Sequence, residues 1–238
     1  MTDRAAAVAD LVAANHILFT HRVVDGFGHA SVRIAPDRFL LARNMAPGLV
    51  TADDILTFDL DGEAIDASGR SVYLERFIHG EIYRARPDVQ AVVHSHAATV
   101  IPFGVSRDMP LRPIFHMAGF LRGPAPIFEI RDHAGEASDL LIRNRELGVA
   151  LANSLGGNAV VLMRGHGATI VGGSLPQAVY RSIYTAVNAG LQSKALRLGD
   201  VTFLTEGEAD AAAATNDGQI TRAWDLWKRQ AAEATIIR

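Results

Sequence analysis

The sequence predicts an α/β fold built on a mixed or antiparallel sheet. Short apolar runs bounded by Pro, Gly and Asp recur along the chain, as strands and tight turns require. Between them lie longer stretches whose apolar residues return every three to four positions, as helices facing a core require. These elements follow one another without the regular strand-helix-strand beat of a purely parallel sheet.

The first element is a helix over the N-terminal 19 residues. Ala7, Leu11, Ala14 and Leu18 share a face, and Thr2 or Asp3 is available as the N-cap. Asp3, Arg4 and Asp10 interrupt its apolar pattern, which excludes a signal-peptide core or a membrane span there. Strands follow at 31–34 (SVRI), 38–43 (RFLLAR) and 55–60 (ILTFDL), and Asp61-Gly62 marks a hairpin turn. Residues 74–87 read as an amphipathic helix with Phe77, Ile78, Ile82 and Ala85 inward, stopped at Pro87. The run 89–96 (VQAVVHSH) is a buried strand. Residues 138–155 read as a helix capped by Ser138 and ended by Gly156-Gly157. Residues 159–167 (AVVLMRGHG) form a second apolar strand running into glycine, and a long helix spans about 176–198 with Pro176 in its first turn. The Ala-rich, acidic segment 206–215 is expected to be a mobile helix-loop before AWDLWKRQ.

A chain of 238 residues is near the upper end of what one core supports, so a single domain over 1–238 is expected, with the tail from about 206 as its mobile part. The net charge is only −3 and the basic residues are scattered, so no nucleic-acid or anionic-membrane surface is expected. With no cysteine, disulfides, thiolate nucleophiles and cysteine-based zinc or iron-sulfur sites are excluded. Any metal must use histidine, carboxylate or water. A cytoplasmic location is the expectation.

The chemistry sits in the histidines. His94-Ser95-His96 closes an apolar strand, and residues two apart on a strand share a face, so both imidazoles are presented together. His166, in Arg164-Gly165-His166-Gly167, ends another apolar strand between glycines that let the backbone turn. Two converging strand ends would bring three imidazoles to one point, a donor set that suits zinc, or manganese, iron or cobalt with added carboxylate or water. An isolated histidine is more often a surface or core residue; the joint occurrence of the two motifs favours one divalent metal ion. Glu75 opens the helix before the His94 strand. It is a candidate fourth ligand or general base, although a favourable charge in a helix's first turn also explains it.

Together, Gly28-His29-Ala30-Ser31-Val32-Arg33-Ile34, Glu75, Ala91 to Ala97 and Arg164 to Gly167 resemble, in order and spacing, the class II aldolase/adducin family over about residues 8–200. The resemblance implies a three-layer αβα sandwich around a mainly antiparallel sheet. It also implies a homotetramer with active sites between subunits, His94, His96 and His166 as metal ligands, and Glu75 as an acid/base able to touch the metal. The sugar-phosphate members cradle phosphate with a Gly-Asn turn, a Thr-Pro-Ser/Thr-Gly loop and a Ser-Ser pair. Here those segments read Gly28-His29, Ala42-Arg43-Asn44-Met45 and Tyr73-Leu74, which removes the donors a phosphate needs. Arg43 and His29 are candidates to hold a carboxylate instead, Arg43 through a bidentate fork, with Ser31 in the same substrate-binding segment.

The segment 103–132, with His116-Met117-Ala118-Gly119-Phe120, resembles the branch that decarboxylates aromatic acids and ring-cleavage products. His116 is a candidate proton donor there, and a histidine in a polar loop explains it equally well. Tyr184 and Arg181 on the long helix are candidates to reach a neighbouring subunit's site, and an ordinary amphipathic face explains them as well. The expected reaction is metal-dependent loss of carbon dioxide from a hydroxy-aromatic or enol carboxylate. The cation would stabilise the enolate or phenolate left behind, and Glu75, His116 or a metal-bound water would return the proton. The rivals are an aldolase acting on an unphosphorylated hydroxy-acid, a non-catalytic adducin-like binding module and, as a minor reading, an iron-dependent oxygenase.

Overall fold

The computed structural model describes residues 3–236. Helix α1 (Arg4–Thr20) starts where the Asp3 carboxylate accepts from the Ala5 amide, and it buries Ala7, Leu11, Ala14 and Leu18 as the periodicity requires. It ends with Val23 N–H on the Leu18 carbonyl and Arg22 N–H on that of Phe19, the paired bonds of a Schellman stop. Arg22 takes the left-handed position (φ 57°), where glycine is usual. Strands β1 (His29–Ala35), β2 (Arg38–Ala42) and β3 (Ile55–Asp59) form an antiparallel meander, and the Asp61-Gly62 turn follows with Gly62 at φ 82°. Then come α2 (Arg76–Ala85), β4 (Ala91–Ser95), α3 (Ile101–Val105), β5 (Ile127–Phe128), α4 (Arg131–Ala134) and α5 (Arg145–Leu155). The chain continues through β6 (Val160–Met163), β7 (Gly167–Gly172), α6 (Leu175–Leu196), α7 (Glu206–Asp217) and α8 (Ile220–Ile236).

The seven strands make one sheet in the order β3-β2-β1-β4-β7-β6-β5, antiparallel throughout except between β5 and β6. Helix α1 lies on β1 and β2 and α6 on β4 and β7, with α8 over both helices, while α2 and α5 pack together against β4, β5 and β6. Alternation along β1 sorts the side chains: His29, Ser31 and Arg33 meet α2, and Ala30 and Val32 turn away from it. The expected sandwich around a mainly antiparallel sheet is the observed fold.

Four expectations change. The inward face of α2 is Ile78, His79, Ile82 and Tyr83, and Ala85 is exposed. The helix expected from residue 138 begins only at Arg145, because Asn144 accepts from the Leu147 amide and caps it there. Leu140 and Ile142, which supplied part of the helical period, belong to a loop folded onto the sheet's end. The run 159–167 is not one strand. β6 stops at Met163, Gly165 (φ 70°) turns the chain through Arg164 and His166, and β7 returns beside it. The segment expected as a mobile helix-loop is helix α7, seated on the 3-10 turn His116–Leu121. There Gly119 lies so close that a Cβ would come 2.4 Å from the Ala209 carbonyl, and Arg122 grips Asp210 through two bonds of 2.6 and 2.9 Å. Among the described residues no helix is long and apolar enough to cross a membrane.

Candidate metal centre

Four side chains from four places in the chain converge at one end of the sheet. His94 is the penultimate residue of β4 and is wholly buried; Ser95 points the other way and bonds the Val23 carbonyl at 2.6 Å; His96 leaves the strand on the His94 side. His166 comes from the β6–β7 turn. Glu75 occupies the N-cap position of α2 but does not cap that helix with its side chain. Its Oε1 instead accepts from the Ile142 amide at 2.9 Å, which turns Oε2 toward the histidines.

The Nε2 atoms of His94 and His96 lie 2.9 Å apart, as do those of His96 and His166, and Glu75 Oε2 lies 3.4 and 3.5 Å from His94 and His166. All four donor atoms fall within 4.8 Å of one another. Four ligands held at ordinary zinc-nitrogen distances in a tetrahedron stand about 3.3 Å apart, so the cluster has the size of a coordination shell. The hydrogen count points the same way. His166 Nδ1–H donates to the Leu140 carbonyl at 2.9 Å, so the neutral ring offers a bare Nε2, and a single hydrogen on His96 cannot point at both of its neighbours. Lone pairs aimed at one point are what a divalent cation satisfies. Burial and the nearby charge of His94 push His96 and His166 down to about 4, so both are neutral and ligand-competent at pH 7. Burial works to raise the Glu75 carboxyl, but the charge and hydrogen bond of His94, with His166 and the Ile142 amide, hold it at about 2, an anion.

The other sequence candidates fall in different places. His29 pairs across β1–β4 with His94, its ring 5.1 Å from that of His94 and 4.6 Å from Tyr73, so it borders the cluster. Ser31 is fully buried between β1 and α2, bonded to His79 and Tyr83, which corrects its expected contact with substrate. Arg43 gives its Nε to Asp54 at 2.7 Å, so the expected fork is partly spent within the chain. Tyr184 lies in an aromatic group with Tyr180, Phe115 and Trp227, and Arg181 bonds the Val171 carbonyl. His116 is exposed at the α7 contact, where its carbonyl accepts from Asn216; none of these three joins the cluster within one chain.

Sequence reading missed the supports. Leu140 and Ile142 hold His166 and Glu75 through backbone groups, which carry no residue-type signal. Arg22 and Asp25 were missed too. They line a cavity of about 520 Å³ with Phe19, Val24 and His96 at the cluster's edge, and no side-chain partner holds the Arg22 guanidinium among the described residues. An arginine in a left-handed C′ position, where glycine is usual, was the signal available.

With this fold and donor set in place, the family follows. Residues 9–192 match the class II aldolase and adducin N-terminal domain, and the chain belongs to that family. It is 40% identical over 248 aligned residues to decarboxylase tropJ of Talaromyces stipitatus, covering 94% of this chain and 93% of that protein. It is also 34% identical to a 3,4-dihydroxyphthalate decarboxylase of Arthrobacter keyseri, over 76% of each chain. Among solved structures, the L-fuculose 1-phosphate aldolase of Glaciozyma antarctica superposes with a TM-score of 0.77 at 24% identity, covering 97% of this chain and 91% of that one; it supports the fold alone.

Proposed function

We propose that this chain is a divalent-metal-dependent decarboxylase of a hydroxy-aromatic or enol carboxylic acid, and that Glu75, His94, His96 and His166 hold the ion. The observation that carries the reading is the convergence of one carboxylate and three imidazoles in a member of this family whose relatives at 40% and 34% identity are named decarboxylases. Bound there, a divalent cation supplies electrostatic stabilisation to negative charge that develops on a substrate oxygen.

The protein's own groups do the rest. The Glu75 carboxylate accepts the hydrogen of the substrate's hydroxyl, and its bond from the Ile142 amide keeps Oε2 turned inward. When the carbon-carbon bond breaks, its electron pair stays on the ring or enol carbon. Glu75 returns the proton to that carbon, and solvent then reprotonates the oxygen, so one proton is consumed per carbon dioxide released. Arg22, which lines the cavity with His96, and His29, whose ring neighbours that of His94, hold the carboxylate in this reading. Arg43 contributes with its two remaining nitrogens. His116 and Tyr184 enter only by reaching a neighbouring subunit's site. Val187 and Leu191, 40% and 39% exposed one turn apart on α6, provide an apolar stripe for the contact between subunits of a homotetramer.

A non-catalytic role gives no reason to keep four metal-type donors together, three of them buried and His96 half-buried. Aldol cleavage shares the site's logic, so the test must separate products. Metal-replete protein is given 3,4-dihydroxyphthalate and related hydroxy-carboxylates, with fuculose and ribulose phosphates alongside, and carbon dioxide and aldehyde are both measured. Carbon dioxide from the carboxylates supports the reading; aldehyde without carbon dioxide, or faster turnover of a sugar phosphate, overturns it.

A further inference from the structure

Beneath the metal cluster runs a chain of four polar side chains that the proposed chemistry does not by itself require. His29 and Ser31 are two apart on β1 and share its α2-facing side; His79 and Tyr83 are four apart on α2 and share the helix face that meets them. His29 Nδ1 lies 2.7 Å from His79 Nε2, His79 Nδ1 lies 2.6 Å from Ser31 Oγ, and Ser31 Oγ lies 2.7 Å from Tyr83 Oη. Relative exposures are 4%, 0%, 0% and 1% for His29, His79, Ser31 and Tyr83. Both rings are buried and neither has a carboxylate among its hydrogen-bond partners, and a buried imidazolium without a counter-charge is too costly, so both rings are neutral.

Neutral, these four groups carry four polar hydrogens for three hydrogen bonds. The spare hydrogen therefore sits on Tyr83 Oη, on Ser31 Oγ or on His29 Nε2. Either hydroxyl would leave it buried with no acceptor among the described residues, a cost of about 1–3 kcal/mol. Only the order in which Tyr83 donates to Ser31, Ser31 to His79 and His79 to His29 leaves it on His29 Nε2, which, unlike the two hydroxyls, is not sealed from solvent and lies beside His94 and Tyr73, where solvent or a ligand can accept from it.

We infer that Tyr83, Ser31 and His79 are positioning residues that lock His29 in its Nε2–H form, making it a neutral hydrogen-bond donor to the substrate's carboxylate. The lock follows from the chain alone; the carboxylate as recipient rests on the proposed function. A free histidine beside three metal-binding imidazoles would compete for the cation through a bare Nε2. A locked N–H cannot, so the chain also keeps His29 out of the coordination shell.

The test is histidine tautomer analysis by long-range nitrogen-proton NMR on the zinc-loaded, 15N-histidine-labelled full chain, with His29 and His79 assigned from His29→Asn and His79→Asn. The expected result is Nε2–H for both rings. In Ser31→Ala the His79 and His29 signals should become tautomer mixtures, and Ser31→Thr, which restores the hydroxyl, should return the single forms. Nδ1–H at His29 in the parent protein, or an unchanged pure form in Ser31→Ala, overturns the lock whatever the substrate is. Adding 3,4-dihydroxyphthalate should move the His29 Nε2 resonance, and Ser31→Ala should weaken binding about tenfold with zinc content unchanged. Binding that leaves His29 Nε2 unmoved overturns the donor role. Failure of the parent protein to bind this probe counts against the substrate reading, and the tautomer result still decides the lock.

Discussion

Replacing Glu75 with glutamine exchanges one oxygen for an amide nitrogen and removes the cluster's only anion. The Gln carbonyl can still accept from the Ile142 amide, so the loop that carries Leu140 stays pinned. The amide hydrogens then occupy the place of Oε2, 3.4 and 3.5 Å from His94 and His166, where they block lone pairs meant for a cation. Loss of a charge-assisted contact costs about 1.5–3 kcal/mol. That is roughly a 10- to 150-fold loss of zinc affinity. Competition against a chromophoric chelator at pH 7 measures it, with the melting temperature of the metal-free chain as the control for folding. Because the Glu75 anion is held at about 2 in the folded chain, its loss should lower that temperature somewhat, while the isosteric exchange and the surviving Ile142 bond keep the transition cooperative. Zinc affinity within threefold of the parent would refute the placement of Glu75 in the coordination shell.

Stability of the metal-free protein should rise with pH between about 4 and 6.5. His79, His96 and His166 are held at about 3, 4 and 4, below their unfolded value of 6.5, so the unfolded chain binds more protons in that window. The slope is at most about 1.4 kcal/mol per pH unit for each histidine, less for the partly exposed His96, and their contribution is flat above 6.5. Urea midpoints across pH 4.5–8 that stay level or fall through the window would contradict it. Gly119→Ala should loosen α7, since its Cβ would lie 2.4 Å from the Ala209 carbonyl and 3.0 Å from the Ala213 nitrogen; about 1–3 kcal/mol of lost stability and faster proteolysis after residue 204 are expected. Proteolysis and stability indistinguishable from the parent would count against that contact. Light scattering should report a tetramer, and Leu191→Glu should dissociate it; a parent protein that is monomeric would sink the subunit-interface proposal.

The sandwich was legible because its sheet is mostly antiparallel and bounded by turn residues, and the centre because His94 and His96 obey the strand period. The loop 135–144 was not: Leu140 and Ile142 imitate a helical face, and only the capping of α5 by Asn144 separates the two. Strand β7 was missed because GATIVG is buried on both faces and shows no alternation. Ser31 was placed at the substrate from its motif, yet residue spacing cannot tell which side of a strand α2 will cover. His79 and Tyr83 were passed over because a helical face is expected to bury apolar residues, and theirs buries a hydrogen-bonded chain.

The proposed decarboxylation depends on an ion held by Glu75, His94, His96 and His166. The direct measurement strips the protein with a chelator, reloads it in steps with zinc, manganese, iron or cobalt, and follows bound metal and carbon dioxide release from carboxyl-labelled 3,4-dihydroxyphthalate together. Release that rises in proportion to occupancy, saturates at one ion per chain and disappears with the bound ion in His94→Ala is the predicted result. Full release from metal-free protein, or full metal occupancy in His94→Ala, would overturn that dependence.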